Sequence, residues 1–224
     1  MDQQIKLATA QFAVTSNIQA NFQKIKEQII SASKEGADLI HFSECCLTGY
    51  PGIDIKNCKN DPEIPLLLET IADLAAEHKL WVIIGTHYFA DESQLPYNAL
   101  LVFDNHGGLV TRYDKRVLAG APGEIDQAHY TAGNEPAVFS INGIKCGLII
   151  CHEWRYPELF REYQHLGVEL IFHSFYDGNL SLADYQAEGI ALGELITGGE
   201  CFNAANNYLW LSIANTCKPE QTFS

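Results

Sequence analysis

The chain has 224 residues, a hydrophobic fraction of 47%, a charged fraction of 19% and a formal net charge of −14 at pH 7. This length and composition are typical of one sizeable globular domain and exclude a disordered chain. The acidic balance argues against nucleic acid or an anionic membrane as the main partner, because both are bound by basic surfaces.

The N-terminal segment and the cysteines indicate the compartment. MDQQIKLATAQF contains no basic stretch followed by an apolar one, and no apolar run reaches the length of a membrane span. The seven cysteines include no Cys-x-x-Cys pair, so we interpret them as free thiols. We therefore expect a cytoplasmic protein. Clustered ligand spacing is also missing, and we predict neither a metal nor an organic cofactor.

Strands and helices alternate in the first part of the chain. IKLATAQF (5–12) is predicted as a strand, and the next stretch, NFQKIKEQIISASKEG, has its apolar residues at helical spacing. ADLIHFSE (37–44) is predicted as a short buried strand. A second helix then leads to the strand LWVIIGT (80–86), and NALLVFDNHGGLVTRYDK is predicted as a hairpin. This alternation favours a layered α/β fold.

The second part of the chain repeats the first. The strand IKCGLIICH (144–152) is followed by the predicted helix PELFREYQHLG, the strand VELIFHSF (168–175), a further helix and the strand LWLSIANT (209–216). GVELIFHS closely resembles GADLIHFS, so we predict two related β-α-β-α-β halves. No counterpart of the hairpin follows NTCKPEQTFS. We therefore expect residues 1–224 to form a single domain that lacks a natural C-terminal segment; the alternative is a genuinely shorter protein.

Three reactive side chains follow predicted strands. Glu44, Lys115 and Cys151 each end such an element, and ligands of α/β folds gather at the carboxyl ends of strands. A thiol becomes a nucleophile when it loses its proton, which a carboxylate can accept. An ammonium group and the N–H of His152 can then stabilise a negative oxygen. These residue types are therefore sufficient for nucleophilic catalysis by Cys151.

Three segments resemble a known family. FSECCLTGYP, RYDKRVL and CHEWRYPE, in this order, are similar to the signature segments of the nitrilase superfamily of carbon–nitrogen hydrolases, and the Asn-Thr pair near residue 215 is similar as well. The resemblance implies a four-layer αββα sandwich, usually dimeric through helices at one face. It implies that Glu44 is the general base, Lys115 the oxyanion lysine and Cys151 the nucleophile.

The resemblance also implies a second acid that orients the lysine. In GAPGEIDQ we favour Glu124, with Asp126 as the rival. After the cysteine, amidase-like branches commonly have Tyr-Asp-x-Arg-Phe-Pro-Glu, whereas this chain has His-Glu-Trp-Arg-Tyr-Pro-Glu. His152 and Trp154 depart from that pattern, which leaves the substrate branch open.

Several residues beside these segments are candidates either for shaping the substrate site or for filling the core. They are His152, Trp154, Tyr50, Phe175 and Tyr176. His152 is also a candidate base of a papain-like Cys–His hydrolase. We interpret His41 and His173, which lie in the repeated strands, as packing residues rather than ligands.

The sequence therefore predicts a thiol amidohydrolase. It would act through a cysteine thioester on a small linear amide or N-carbamoyl compound, release ammonia or an amine, and form a homodimer or higher homo-oligomer. The alternatives are a true nitrilase acting on a nitrile, an inactive relative that binds a small molecule, and a structural dimerisation protein.

Overall fold

The computed structural model describes residues 4–91, 94–177, 183, 186–187 and 190–217. The described residues form nine strands in two sheets. The first sheet consists of β1 Leu7–Thr9, β2 Leu39–His41, β3 Trp81–Tyr88, β4 Tyr97–Phe103 and β5 Leu109–Asp114. The second consists of β6 Val138–Ile141, β7 Ile144–Ile150, β8 Leu170–Ser174 and β9 Trp210–Ala214.

Four α-helices connect the strands in the described part of the chain. They are α1 Ile18–Lys34, α2 Glu63–His78, α3 Pro157–His165 and α4 Ile190–Asn207. Local chemistry sets several of their ends. The side chain of Asn17 accepts a hydrogen bond from the N–H of Ala20 at the start of α1, and Pro157 occupies the first position of α3, where its missing N–H costs nothing.

The two sheets have the same parallel centre. In the first, strand order follows the chain; β1, β2 and β3 are parallel, and the hairpin β4–β5 is added antiparallel to β3. In the second, β6 is antiparallel to β7, and β7, β8 and β9 are parallel. β9 lies at the edge of its sheet among the described residues. The predicted β-α-β-α-β repeat and the hairpin are confirmed.

The core has three apolar layers, which define four layers of secondary structure. Buried residues of α1 and α2 pack on one face of the first sheet. The opposite face packs on the second sheet, and one buried cluster includes Ile83 and Leu100 of the first sheet with Leu148 and Phe172 of the second. Residues of α3, including Phe160, cover the outer face of the second sheet. The order helix–sheet–sheet–helix confirms the expected αββα sandwich.

Strand ends differ from the sequence predictions by a few residues. The first strand was expected over 5–12 and covers Leu7–Thr9, and β7 stops at Ile150 rather than at residue 152. Cys151 instead begins a 3-10 helix, Cys151–Arg155. Among the described residues, no helix is both long enough and apolar enough to span a bilayer.

Candidate active site

The two sheets bring three strand ends to one edge of the sandwich. Glu44 lies shortly after β2, Lys115 directly follows β5, and Cys151 directly follows β7 of the other sheet. A backbone hydrogen bond of 3.3 Å from the N–H of Glu44 to the carbonyl of Phe175 joins the sheets here. The meeting of these strand ends therefore depends on sheet-on-sheet packing.

The carboxylate of Glu44 is buried, and its two oxygens have different surroundings. Oε1 accepts hydrogen bonds from Lys115 Nζ at 2.8 Å and from Asn98 Nδ2 at 2.7 Å. Oε2 is buried and accepts no hydrogen bond from any described residue. Burial raises the pKa of Glu44 to about 7, against the opposing charge of Lys115. One oxygen is therefore held in place, while the other is open to accept a proton near neutral pH.

Lys115 lies between two carboxylates and is fully buried. Its Nζ is 2.8 Å from Glu44 Oε1 and 2.6 Å from Asp126 Oδ2. Burial acts to lower the pKa of Lys115, but the charges of Glu44 and Asp126 raise it well above its ordinary value. The ammonium group is therefore retained inside the protein, where it can stabilise a developing negative charge.

The acid on the other side of Lys115 is Asp126 rather than Glu124, which corrects the preference drawn from the sequence. Asp126 is buried in the 3-10 turn Ile125–Ala128 and accepts hydrogen bonds from the hydroxyl of Tyr50 and from a backbone N–H. Glu124 precedes the turn, and its side chain is exposed. Burial acts to raise the pKa of Asp126, but Lys115 and these hydrogen bonds lower it. The turn directs only one of the two acids inward.

Cys151 has an unusual backbone conformation. Its φ of 42° lies in the left-handed region, which is sparsely populated by residues with a side chain. It is also the residue at which the buried strand β7 gives way to the 3-10 helix. Backbone outliers of this kind persist where the surrounding structure imposes them, and they cluster at functional sites.

Burial and charged neighbours both act on the pKa of the Cys151 thiol. Burial raises the pKa of the thiol well above its ordinary value, and the charge of Glu44 raises it further. Lys115 acts in the opposite direction, as does a hydrogen bond from the N–H of Tyr176. Asp177 adds negative potential, and burial raises the pKa of Asp177 itself. The resting thiol is therefore protonated, and a base must take its proton before it can attack.

Glu153 connects the loop that carries the lysine to the strand that carries the thiol. It is fully buried, and its Oε1 accepts from the backbone N–H groups of Arg116 at 2.7 Å and Val117 at 3.1 Å. Its Oε2 accepts from the N–H of Ile150 at 2.6 Å. The hydroxyl of Tyr113 donates to the same carboxylate at 2.8 Å. Since all four partners are donors, an ionised carboxylate is the group that satisfies them.

Two tyrosines expected near the substrate have occupied hydroxyl groups. Tyr50 is buried and donates to Asp126, while Tyr176 donates to Asp54. Their ring centroids are 5.0 Å apart. The Tyr50 hydroxyl therefore supports Asp126, the acid that holds Lys115.

The remaining aromatic candidates lie in the segments that follow β7 and β8. His152 is partly exposed, and burial together with the charge of Lys115 lowers its pKa. Trp154 is mostly buried and packs on Gly199 of α4 so closely that a Cβ there would lie 2.7 Å from the indole. Phe175 is buried at the end of β8. Of these three, His152 is the one that solvent reaches most readily.

The two histidines of the repeated strands have different surroundings. They are offset by one position in the repeat, GADLIHFS against GVELIFHS, so they face opposite sides of their strands. His41 lies between the sheets, where its ring nitrogens are 3.1 Å from Ser212 Oγ and 2.9 Å from Ser174 Oγ. His173 faces α4 and the backbone of Cys151. Both are packed, but only His173 touches the site.

The sequence analysis did not identify Asn98 or Glu153. Asn98 is the second residue of β4 and has no feature that separates it from an ordinary strand residue except its amide. A polar amide in a buried strand indicates that it has a hydrogen-bond partner. Glu153 is one of the seven residues that follow the cysteine in its motif, and its inward direction depends on the 3-10 turn. Among the described residues, no group of three side chains has the arrangement of a metal site.

A family model now connects the site to known proteins. The model for carbon–nitrogen hydrolases matches residues 6–210. The chain belongs to the carbon–nitrogen hydrolase family. This match covers all three motif segments, so the resemblance to the nitrilase superfamily is confirmed.

Individual relatives are distant. A deaminated glutathione amidase of Dictyostelium discoideum is 25% identical over 179 residues, which cover 74% of this chain and 62% of that protein. The omega-amidase NIT2 of Bos taurus is 26% identical over 226 residues, covering 96% of this chain and 76% of that protein. The chain thus spans less than two thirds of the first of these relatives.

A solved structure has the same fold. It is a glutamate variant of an amidase from Nesterenkonia sp. AN1, with the acetamide moiety of fluoroacetamide covalently added at its active-site cysteine. Its TM-score is 0.77 at 22% identity, with 96% of this chain and 77% of that chain covered. The similarity confirms the αββα architecture.

Proposed function

We propose that this protein is a thiol amidohydrolase that cleaves the carbon–nitrogen bond of a small linear amide or N-carbamoyl compound through a thioester at Cys151. The observation that carries the proposal is the asymmetry of Glu44. Its Oε1 is held by Lys115 and Asn98, its Oε2 is unoccupied by any described residue, and its pKa is raised to about 7. A carboxylate in this state is suited to shuttling a proton at neutral pH.

The first half of the reaction forms the thioester. Glu44 accepts the proton of Cys151 as the sulfur attacks the amide carbon. Lys115 and the N–H of His152 stabilise the oxyanion, since the first N–H groups of a helix have no intrahelical acceptor. The intermediate then collapses, the carbon–nitrogen bond breaks, and Glu44 returns the proton to the departing nitrogen. Ammonia or an amine leaves.

The second half regenerates the enzyme. Water attacks the thioester carbon and gives its proton to Glu44, and the same oxyanion site stabilises the second tetrahedral intermediate. The carbon–sulfur bond breaks, and the proton returns to Cys151 as the carboxylic acid leaves. Asp126 acts as a positioning residue, because it holds Lys115 without touching the reacting atoms.

The substrate class is tested with a panel. Ammonia or amine release is measured on dicarboxylate monoamides, N-carbamoyl amines and deaminated glutathione-like amides, with Cys151→Ala as the blank and Cys201→Ala as the matched thiol control. We expect turnover of at least one amide by the wild type and by Cys201→Ala only. Acid formed from nitriles but not from the amides would indicate a nitrilase instead. No turnover, together with alkylation of Cys151 by iodoacetamide no faster than that of other thiols, would indicate an inactive binding relative.

The relatives support amides over nitriles, because both curated proteins described above are named amidases. A papain-like Cys–His mechanism has less support. His152 Nε2 lies 3.3 Å from the hydroxyl of Tyr156, whereas Glu44 has an unoccupied carboxylate oxygen and its charge acts on the Cys151 thiol.

We also propose that the chain forms a homodimer or higher homo-oligomer. Leu195 and Phe202 of α4 and Trp210 of the edge strand β9 are large apolar side chains that are 57%, 66% and 77% exposed. Large exposed apolar side chains are candidates for coverage by a second copy of the chain. Light scattering should give more than one chain per particle, and Phe202→Ser should weaken the assembly. A monomer at all concentrations would contradict this proposal.

A cytoplasmic location is proposed on the state of the thiols. All seven cysteines are free, including the exposed Cys201, and unpaired thiols persist in reducing compartments. Fractionation of expressing cells tests the location; recovery with secreted or membrane fractions would contradict it.

A further inference from the structure

A buried acid–histidine pair contacts the backbone of the nucleophile. His173 of β8 is fully buried, and Glu200 of α4 is 2% exposed. His173 Nδ1 is 2.7 Å from Glu200 Oε1, and no aligned hydrogen bond joins the two atoms. On the other side of the ring, Nε2 is 3.1 Å from the carbonyl oxygen of Cys151. The mechanism above assigns this pair no role.

The contacts determine where the protons lie. A carbonyl oxygen can only accept, so Nε2 of His173 must carry a hydrogen and donate it to Cys151. The 2.7 Å approach favours a hydrogen either on Nδ1 or on Glu200, because a lone pair and a carboxylate at this distance would repel each other. Either partner can hold that proton, and Nε2 remains a donor in both cases. Glu200 therefore keeps His173 in the form that donates to Cys151.

The acceptor belongs to the peptide unit that the mechanism uses. The carbonyl of Cys151 and the N–H of His152 are the two polar groups of one planar trans peptide, so they point in opposite directions. A donor on the carbonyl fixes the direction of the N–H. It also polarises the amide, which makes the N–H a stronger donor. The left-handed φ of Cys151, 42°, shows that this peptide is held in an uncommon orientation.

We propose that Glu200 and His173 position and polarise the Cys151–His152 peptide, so that its N–H is directed at the oxyanion of the reacting substrate. His173 is on the face of β8 that points to α4, whereas Glu44 and Lys115 belong to the opposite sheet. The N–H that opposes the carbonyl is therefore directed away from α4. Both residues are positioning residues, and their role rests on the amidohydrolase proposed above.

The other buried histidine provides an internal contrast. His41 is equally buried, but its ring nitrogens face the hydroxyl groups of Ser174 and Ser212. Ser174 donates to the carbonyl of Phe42 at 2.9 Å, so it must accept from His41. His41 has neither a carboxylate partner nor a contact with Cys151 among the contacts of the described residues. It is therefore the matched control for removing a buried imidazole.

Two double variants isolate the donor. His173→Phe with Glu200→Leu removes the donor and leaves no buried acid unpaired, whereas His173→Gln with Glu200→Leu keeps an amide N–H able to reach the carbonyl of Cys151. For each protein, kcat/KM on the best amide of the panel is compared with the rate of Cys151 alkylation by iodoacetamide. Alkylation requires the thiolate but forms no oxyanion, so the ratio of the two rates reports the oxyanion site.

We expect the double variant with His173→Phe to lose about 10- to 100-fold in kcat/KM, somewhat less than the loss of an oxyanion donor itself. Its rate of Cys151 alkylation should be unchanged. The double variant with His173→Gln and the single variant His41→Phe should keep the wild-type ratio of kcat/KM to alkylation rate. Retained hydrolysis in the His173→Phe pair, or an equal loss of hydrolysis and alkylation, would overturn the inference. If the wild type hydrolyses none of the amides, the proposed function fails instead.

Nitrogen NMR of labelled histidines tests the contact without depending on activity or on the stability of the double variants. In the wild type, Nε2 of His173 should be protonated and its hydrogen slow to exchange around neutral pH, with the signal assigned by its absence in His173→Gln. An unprotonated Nε2 would overturn the inference directly.

Discussion

The arrangement of two acids around Lys115 makes a specific prediction for Asp126→Asn. Asp126 Oδ2 faces Lys115 and a backbone N–H, and Oδ1 accepts from the Tyr50 hydroxyl. The asparagine can place its oxygen toward Lys115 and its amide toward Tyr50, whose hydroxyl can turn to accept. The substitution therefore removes a charge while it keeps the shape and the hydrogen bonds of the site.

The expected effect is a lower pKa for Glu44. Burial is the largest cause of its raised pKa of about 7, and the charge of Asp126 raises it further. Glu44 Oε1 and Asp126 Oδ2 lie 2.8 Å and 2.6 Å from the same nitrogen, hence within about 6 Å of each other. At an effective dielectric constant of about 20, two charges at that separation interact by about 2.8 kcal/mol, or roughly two pKa units.

The assay is the pH dependence of kcat/KM for the amide found by the panel. Wild-type activity should fall as the pH drops through about 7, because protonated Glu44 cannot accept the thiol proton. In Asp126→Asn this limb should move to lower pH by about one to two units, and the plateau should fall because the base is weaker. Glu124→Gln is the matched control, since Glu124 is exposed in the same loop.

The reasoning would be refuted if the limb in Asp126→Asn stayed in place or moved upward, or if Glu124→Gln shifted it equally. A thermal melt of each variant, taken at the same pH values, separates a changed pKa from partial unfolding.

Three further predictions concern the contacts of Glu44 and Glu153. Asn98→Leu removes a hydrogen bond that lowers the pKa of Glu44. The acidic limb of kcat/KM should therefore move to higher pH, the opposite of its shift in Asp126→Asn. A shift to lower pH would contradict this effect of Asn98. The pKa of Glu44 in the folded protein lies above its ordinary value, so ionising Glu44 costs stability as the pH rises through about 7. The free energy of unfolding of Glu44→Gln, measured in urea titrations, should therefore rise relative to that of the wild type between about pH 5 and about pH 8. A difference that stays constant with pH would argue against the raised pKa. Glu153→Gln places an amide among four hydrogen-bond donors. The substitution should lower the free energy of unfolding by roughly 1–3 kcal/mol and reduce kcat. A variant as stable as the wild type would show that the carboxylate is not needed there.

Periodicity and motif order predicted most of the fold. The repeated β-α-β-α-β pattern, the hairpin and the first position of α3 at Pro157 are all local features, since side-chain alternation and turn residues act over a few positions. The ends of strands were less predictable. The change from β7 to a 3-10 helix at Cys151 depends on Glu153, whose side chain accepts from the N–H of Ile150.

The sequence likewise predicted some residues of the candidate site and left others undecided. Glu44, Lys115 and Cys151 were predicted because they stand in recognisable segments at strand ends, and the structure places the first two in contact. Their catalytic roles remain proposals. The choice between Glu124 and Asp126 was not decided by the sequence, since both are acids in one short loop, and a turn with a left-handed Ile125 directs Asp126 inward.

By itself, then, the amino-acid sequence determined the alternation of elements, the internal repeat and the reactive residue types, because each is encoded by neighbours along the chain. Only the tertiary structure decided that Asn98 binds Glu44, that Asp126 binds Lys115 and that Glu200 reaches His173. These partners come from separate strands, turns and helices, and their side chains meet only when the two sheets and their covering helices pack together.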